Sequence, residues 1–566
     1  MKKIVALLAL TVSVLALAQT KPARVAVTGL STDAQQALNS IDSEKIRATV
    51  KYLSDDALQG RGTGQRGGDM AADWLAQQFK AYGLRPAGDN GDYFQNVGFY
   101  GITADQQKTQ FAFVPNSGPT ITLKFGDDYV AGDQTHSDRS VLDAPIVYVG
   151  FGINAPEYNW DDYKGANLKG KALLMLVNEP PSEDPNFFKG KALTYYGRWT
   201  YKFEEAARRG AVAVILIHKT EMASYGWEVV RNSWGGETSY LRDDTDPKLK
   251  SAGWIQLEVA RNLAHAAGME LDKMMQDANS RSFKPVELPI RLKETIVSKV
   301  RPFSSRNVVG KVAGADPKLS GQAVVYTAHY DHLGIHLNEP GDNIYNGAAD
   351  NATGCGILLE LARVIAAAKE KPKRSVLFAA VTAEEQGLLG SKYLGQHPPL
   401  PARDISVDLN YDDIQPFGDP QEAVVSGAER TSIYPLVEQV AKDFDMSIKP
   451  DSRPEAGHYY RSDHFSMARV GVPAFSINEG TLFKGHDRAW GEEKDQDYVA
   501  HRYHQPSDEY REDMDFTADA KIAKFGLALG WQVANLPELA GWQRGDEFEK
   551  ARKAPKLKPA AKLAAF

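Results

Sequence analysis

VVYTAHYDHLGIHLNEPGDNIYNGAADNATG, residues 324–354, holds a strand, a polar loop and a helix start in one uninterrupted run. Val324 to Thr327 is apolar and rich in β-branched and aromatic residues, which reads as a buried strand. His329 and Asp331 stand at its C-terminal end, and the Gly-rich loop delivers Asp350 just ahead of an apolar helix expected from about Gly354 to Ala368. Open α/β folds bind their ligands at the carboxyl edge of a parallel sheet. An imidazole binds zinc well when its second nitrogen donates to a carboxylate. The spacing therefore predicts His329 and Asp350 as metal ligands, with Asp331 orienting His329.

From Asn307 onward, strand-like segments NVVGKV, AVVYTA, SVLFAAVT, ISVDLNY and VPAFSI alternate with helical ones. The helices begin near Gly354 and Gly387, then run from Ser432 to Phe444 and from about Thr517 to Ala534. This alternation predicts an α/β fold: a doubly wound, mostly parallel sheet with helices on both faces. Upstream, helical patterning over Ile41–Leu53 and Met70–Tyr82 brackets LQGRGTGQRGG. That loop lacks the Lys-Ser/Thr ending of a P-loop and follows no strand, so it is expected near the rim of the site.

The texture changes between about Val141 and Leu292. IVYVGFGI and ALLMLVNEP read as strands, and YKFEEAARRGAVAVILIH as a helix feeding a strand. No His and acidic residues cluster there at ligand spacing, and His218 is expected to be exposed or satisfied by a partner. The block is expected to be a second, smaller α/β domain inserted at 141–292 between two parts of the catalytic domain, 40–140 and 293–548.

At 566 residues the chain exceeds one ordinary core, and 43% apolar with 25% charged residues is a globular composition. A net charge of −7 gives no general case for nucleic-acid binding. Lys2 and Lys3, the apolar run Ile4 to Leu17 and Ala16-Leu17-Ala18 predict a signal peptide over 1–18. The run is short for a bilayer span, so the expectation is export to the periplasm or medium with no membrane attachment after cleavage. The single cysteine, Cys355, rules out an intrachain disulfide and reads as a small buried hydrophobe. Residues 549–566, basic and Ala/Pro-rich, are expected to be a disordered tail. Oligomeric state leaves no signature.

Three further places carry chemistry. SVLFAAVT runs into Glu384 and Glu385, adjacent carboxylates that repel unless cations or a proton divide their roles; one can hold a metal while its neighbour takes a proton from water. ISVDLNY is followed by Asp412, level with His329 and Glu385; Asp408 lies deeper and is the reserve, and Asp413 is expected on the other face. His504 in YHQPSDEY supplies the remaining nitrogen. The set fits two divalent cations bridged by Asp350, with His329 and Asp412 on one ion, Glu385 and His504 on the other.

The motifs TAHYDHLG, NGAADNATG, TAEEQGLLGS, NYDD, SDHFSMARVGVPAF and YHQPSDEY follow one another from about Val324 to Tyr510. In that order the chain resembles the secreted dizinc aminopeptidases, which share a fold with glutamate carboxypeptidase and the transferrin receptor ectodomain. The resemblance implies two zinc ions held by His329, Asp350, Glu385, Asp412 and His504, with Glu384 as general base and Tyr503 polarising the scissile carbonyl. It also implies that 141–292 is a protease-associated domain. Asp413 departs from the pattern, standing where an apolar residue is commoner. His332, His336 and His464 are extra imidazoles, expected behind the ligands or at the rim.

The implied activity is hydrolysis of peptide bonds, removing N-terminal residues from peptides. A carboxypeptidase of the same fold would need a cation for the terminal carboxylate, and Arg461 is the candidate. A metal-dead receptor-like protein would have lost ligands, whereas the whole set is present. A structural calcium protein would use oxygen ligands without the imidazoles.

Overall fold

The computed structural model describes residues 26–223, 225–336, 341–451 and 453–553. The expected signal peptide therefore lies outside the described residues. Four parallel strands carry the C-terminal half, in the spatial order Ala474–Ser476, Ile405–Asn410, Ala323–His329, Ser375–Val381. Beyond Ser375–Val381 the sheet turns antiparallel through Val286–Val312, Phe94–Ala104 and Thr238–Leu241.

Ala323–His329, Ser375–Val381 and Ile405–Asn410 are buried along their whole length, as parallel strands covered on both faces must be. Val324, Tyr326 and Ala328 face a core shared with helices Ser43–Leu53, Arg66–Ala81, Gly354–Ala367 and Thr517–Asn535. Val325, Leu377 and Ala379 face the opposite core, with Leu394, Phe465 and Trp542. Helix Gly354–Ala367 buries Ile357, Leu358, Leu361, Val364 and Ile365. At about 1.5–3 kcal/mol for each large apolar side chain, this firmly anchors the downstream end of the Asp350 loop. Helix Thr517–Asn535 approaches so closely that the Tyr326 hydroxyl donates to the Gly526 carbonyl at 3.0 Å.

A second core, drawn from residues between Phe111 and Ile296, surrounds parallel strands Arg139–Tyr148, Ala172–Leu176, Ala213–His218 and Ser251–Gln256. Its membership extends beyond the expected 141–292. Strand Gln110–Pro115 pairs within this sheet, and Phe111 and Phe113 are buried in its core. The expected boundary after Leu292 falls inside one continuous 27-residue strand, Val286–Val312. Residues 286–297 of that strand pair with Arg139–Tyr148, and residues 298–308 pair with Phe94–Ala104. The period-two alternation of VELPIRLKETIV runs across the boundary without a turn cluster, so the sheet continues where a domain break was expected.

The first five residues of the expected tail are ordered. Glu549–Lys553 is a short helix, and the Arg552 guanidinium donates to the carbonyls of Ala402 and Ala540 at 2.9 and 3.2 Å. The rest of that segment lies outside the described residues. Among the described residues no helix is long and apolar enough to cross a membrane.

Candidate functional site

The ends of three parallel strands bring the site together. His329 closes its strand and pairs in register with Val381, four residues before Glu385. Thr327 pairs with Asn410, which brings Asp412 level with His329. The loops that follow bend through left-handed backbone at Ala383, Asp413 and His504, with φ of 56°, 59° and 58°. Such geometry in non-glycine residues costs about 1–2 kcal/mol each and is held by the surrounding structure.

All five sequence-predicted ligands converge. His329 Nε2 lies 2.9 Å from Asp412 Oδ1 and 3.2 Å from Asp350 Oδ1. His504 Nε2 lies 3.2 Å from Asp350 Oδ2 and 3.2 Å from Glu385 Oε2. The two oxygens of Asp350 therefore face different imidazoles. Metal–ligand bonds of 2.0–2.1 Å at tetrahedral angles put neighbouring ligand atoms about 3.3 Å apart, close to these spacings. Among the described residues two overlapping groups could hold an ion, His329/Asp350/Asp412 and His332/Asp350/Glu385.

His332 is therefore not at a rim. Its ring is fully buried, with Nδ1 2.6 Å from Glu385 Oε1 and 3.9 Å from Asp350 Oδ2. Neither ring nitrogen of His332, nor Glu385 Oε1, has an aligned hydrogen-bond partner among the described residues. Buried polar atoms normally find one, so these atoms, like the donor set as a whole, fit a cation.

The charges packed into this cluster shift one another's protonation. Burial opposes charge on His329, yet Asp412, Glu384 and Asp350 raise its pKa well above the usual imidazole value. Burial likewise opposes charge on His504, but Glu385 and Asp350 push it up to about 11. Glu385 is driven upward by burial and Asp350, and the imidazoles of His504 and His332 bring it down to about 2. Glu384 is half-buried beside this cluster, and burial followed by Asp412 and Glu385 raises its pKa well above the carboxylate range, against His329.

Asp331 works differently from the expected carboxylate–imidazole contact. His329 Nδ1 is 3.1 Å from the main-chain carbonyl of Asp331, whereas the carboxylate is 3.9 Å away. Asp331 Oδ2 accepts from Thr63 Oγ1 at 2.8 Å, and Oδ1 from the Glu384 amide at 3.2 Å. One acid thus ties the His329 strand to the Glu384 turn. On the far side Asp412 Oδ2 accepts from Ser462 Oγ at 2.5 Å. Tyr503 is exposed at 40%, and its ring stacks on His504 at 4.0 Å.

Two supporting residues escaped sequence reasoning. Arg61, in the Gly/Arg loop, is fully buried, and its guanidinium donates to the carbonyls of Tyr330 (2.7 Å), Asn346 (2.6 Å), Gly347 (2.9 Å) and Leu53. It clamps the His329 strand end to the loop that delivers Asp350. The left-handed turn beside it requires glycine at Gly60 (φ 65°), where a Cβ would stand 2.3 Å from the Tyr345 carbonyl oxygen. Asp508, four residues after His504, accepts from the amides of Ala349 and Asp350, both at 3.1 Å. An acid next to a candidate ligand's motif was the only available signal for Asp508; Arg61 binds main chain alone and leaves none.

The remaining imidazoles lie elsewhere. His218 Nε2 is 3.1 Å from the Tyr225 carbonyl, satisfied as expected. His464 is buried against Tyr459, and burial lowers its pKa to about 3. His336 lies against Tyr345, with ring centroids 4.3 Å apart and the planes tilted by 38°. Cys355 is buried with Sγ 3.2 Å from the His329 carbonyl, and burial pushes its thiol up to about 12, which keeps it unreactive.

Ligand-type side chains at the carboxyl edge of an open α/β sheet, sharing one central carboxylate, are the arrangement of binuclear metal sites. Residues 307–529 match the family model of peptidase family M28. A protein of Pyrenophora tritici-repentis described as a "probable zinc metalloprotease" is 26% identical over 357 residues, covering 56% of this chain and 66% of that protein. Leupeptin-inactivating enzyme 1 of Streptomyces exfoliatus is 31% identical over 160 residues, 27% of this chain and 32% of that one. The chain thus spans less than two thirds of these relatives' lengths. Among solved structures, an aminopeptidase from Aneurinibacillus sp. strain AM-1 superposes with a TM-score of 0.50 at 20% identity, over 89% of this chain and 97% of that one, a likeness of fold.

Proposed function

We propose that this chain is an exported, two-zinc aminopeptidase that removes N-terminal residues from peptides. The observation that carries the reading is Asp350, whose two oxygens stand 3.2 Å from His329 Nε2 and 3.2 Å from His504 Nε2. His329 and Asp412 would hold one ion, Glu385 and His504 the other, with Asp350 between them. His504 is preferred to His332 because its two contacts are equal and near a tetrahedral edge, whereas those of His332 are one short and one long. When bound, such an ion pair acidifies water and polarises the scissile carbonyl.

The chain's own groups supply the rest. The Asp331 carbonyl accepts from Nδ1 of His329, which leaves the Nε2 lone pair facing the site. Glu384 receives a proton from the attacking water and returns it to the leaving amine. Its amide bond to Asp331 fixes the turn from which it acts. Tyr503 offers its hydroxyl to the developing oxyanion. Export rests on Met1 to Ala18, and the second core, taken from about Gln110 to Ile296, is assigned as a protease-associated insert.

The test combines turnover with zinc analysis on the same samples. Glu384→Gln is expected to lower kcat by about 10²–10⁴ while two zinc ions remain bound; normal turnover would refute the base assignment. His504→Ala is expected to lose zinc and His332→Ala to retain both ions; the reverse result would exchange their roles. A carboxypeptidase is the second reading, favoured by Arg461, which lines the same cavity as Glu384. Dipeptides blocked at one end or the other separate the two.

A further inference from the structure

Ala213–His218 and Ser251–Gln256 are parallel neighbours in the second core. A parallel pair needs a crossover connection, usually a helix. Helix Trp227–Gly235 supplies one, but the chain then adds a strand, Thr238–Leu241, that joins neither neighbour. It pairs instead with Phe94–Ala104, and this detour reaches the turn that carries Glu384.

Three contacts tie the detour to that turn. Leu241 packs with Val97, Phe99 and Ala383 in a small core of their own, all four buried. Ser239, buried on the same strand, donates its hydroxyl to Gln386 Oε1 at 3.0 Å. Asp244 lies 2.7 Å from Lys392 Nζ, on the helix Leu389–Gln396 that the turn feeds.

The turn closes on main chain. The Glu384 carbonyl accepts from the amides of Gly387 and Leu388 at 2.8 and 2.9 Å, and the Ala383 carbonyl from Leu389 at 2.9 Å. Glu385 is held by its own side chain, with His332 and His504 at 2.6 and 3.2 Å. The Glu384 side chain makes no hydrogen bond or ion pair among the described residues; only its amide is fixed, by Asp331. Its carboxylate therefore stands wherever the backbone of the turn puts it.

We propose that Ser239, acting through Gln386, is a positioning residue for Glu384. Asp331 holds the turn on one side of the base, and the strand from the second core holds it on the other. The role given to Glu384 rests on the peptidase reading, but the tie exists without turnover. Misplacing a reacting group by about 1 Å costs about 100-fold in rate, whereas neither the ions nor the bound peptide touches Ser239.

The zinc-loaded protein tests it. Ser239→Ala is expected to lower kcat on leucine 4-nitroanilide by about 10–100-fold, with KM and zinc content unchanged. Ser239→Thr, which keeps the hydroxyl, is expected to restore most of the loss. Gln386→Ala should match Ser239→Ala, and the double variant should lose no more than either alone, because all three remove one contact. Amide hydrogen exchange over 383–389 reads the tie independently of catalysis; it is expected to quicken in Ser239→Ala while exchange over 323–329 stays as in wild type. Quickened exchange in a protein that cleaves no peptide would remove the peptidase reading and leave the tie standing. Unchanged exchange over 383–389, an unchanged kcat in an active enzyme, or additive losses in the double variant would overturn the proposal.

Discussion

Replacing Arg61 with lysine probes how the site is held. The Arg61 guanidinium spreads its donors over four main-chain carbonyls belonging to three segments: Leu53, Tyr330, and Asn346 with Gly347. A lysine ammonium has three N–H groups on one atom and cannot span that arc. One or two carbonyls would lose their donor in a fully buried position. Abandoning each costs about 1–3 kcal/mol, so Arg61→Lys is expected to destabilise the protein by about 2–5 kcal/mol, with neighbouring losses not strictly additive. Tyr330 follows His329, and Gly347 precedes Asp350 by three residues, so the loss reaches the proposed ligands directly. Zinc affinity is expected to fall about 10–100-fold, as when a ligand's support is removed. Urea unfolding of the ion-free protein measures the first effect, and chelator competition the second. An Arg61→Lys protein with wild-type unfolding midpoint and wild-type zinc affinity would refute the clamp.

Three other expectations follow from the same geometry. Asp508→Asn leaves one acceptor oxygen where the carboxylate serves two amides; it is expected to cost about 1–2 kcal/mol and to weaken zinc retention, read by dialysis against a chelator. His329 and His504 hold protons in the ion-free protein at neutral pH. Zinc binding should therefore release protons and tighten about tenfold per released proton for each pH unit gained; calorimetry showing no dependence on buffer ionisation enthalpy would contradict this. Glu294, buried in the second core, has its pKa raised to about 8, by burial first and then by Asp133. Its folded value lies above its unfolded one, so its contribution is present below about pH 4.5 and is lost as pH rises through about 8. Glu294→Gln is therefore expected to melt higher than wild type at pH 8–9, with the gap closing towards pH 5.

The fold was legible where packing alone sets the pattern. Val324–Thr327, SVLFAAVT and ISVDLNY are apolar on both faces, and only a sheet covered on both sides accepts such runs. Among the five ligand-type residues, His329, Glu385 and Asp412 stood out because imidazoles and acids at or just past strand ends are scarce and costly unless used. What escaped was held by main chain. Arg61 bonds only to carbonyls, and no residue type elsewhere in the chain announces that it is needed. His332 lies within the same motif as His329, and its burial depends on how the loop folds back, which spacing does not encode. The left-handed residues Ala383, Asp413 and His504 are equally silent, because none is a glycine. The limits of the second unit were misjudged for a related reason: alternation in VELPIRLKETIV marks a strand but says nothing about which of two sheets it joins.

That shared strand ties the fate of the two halves together. Val286–Val312 lends its first half to one sheet and its second half to the other, so the second unit cannot be lifted out as a detachable bead. Excising 110–285 would leave a naked edge of unpaired amides and carbonyls from Val286 to about Val297, an invitation to aggregate. Exchange of the second unit with that of a relative would have to carry this rail along with it.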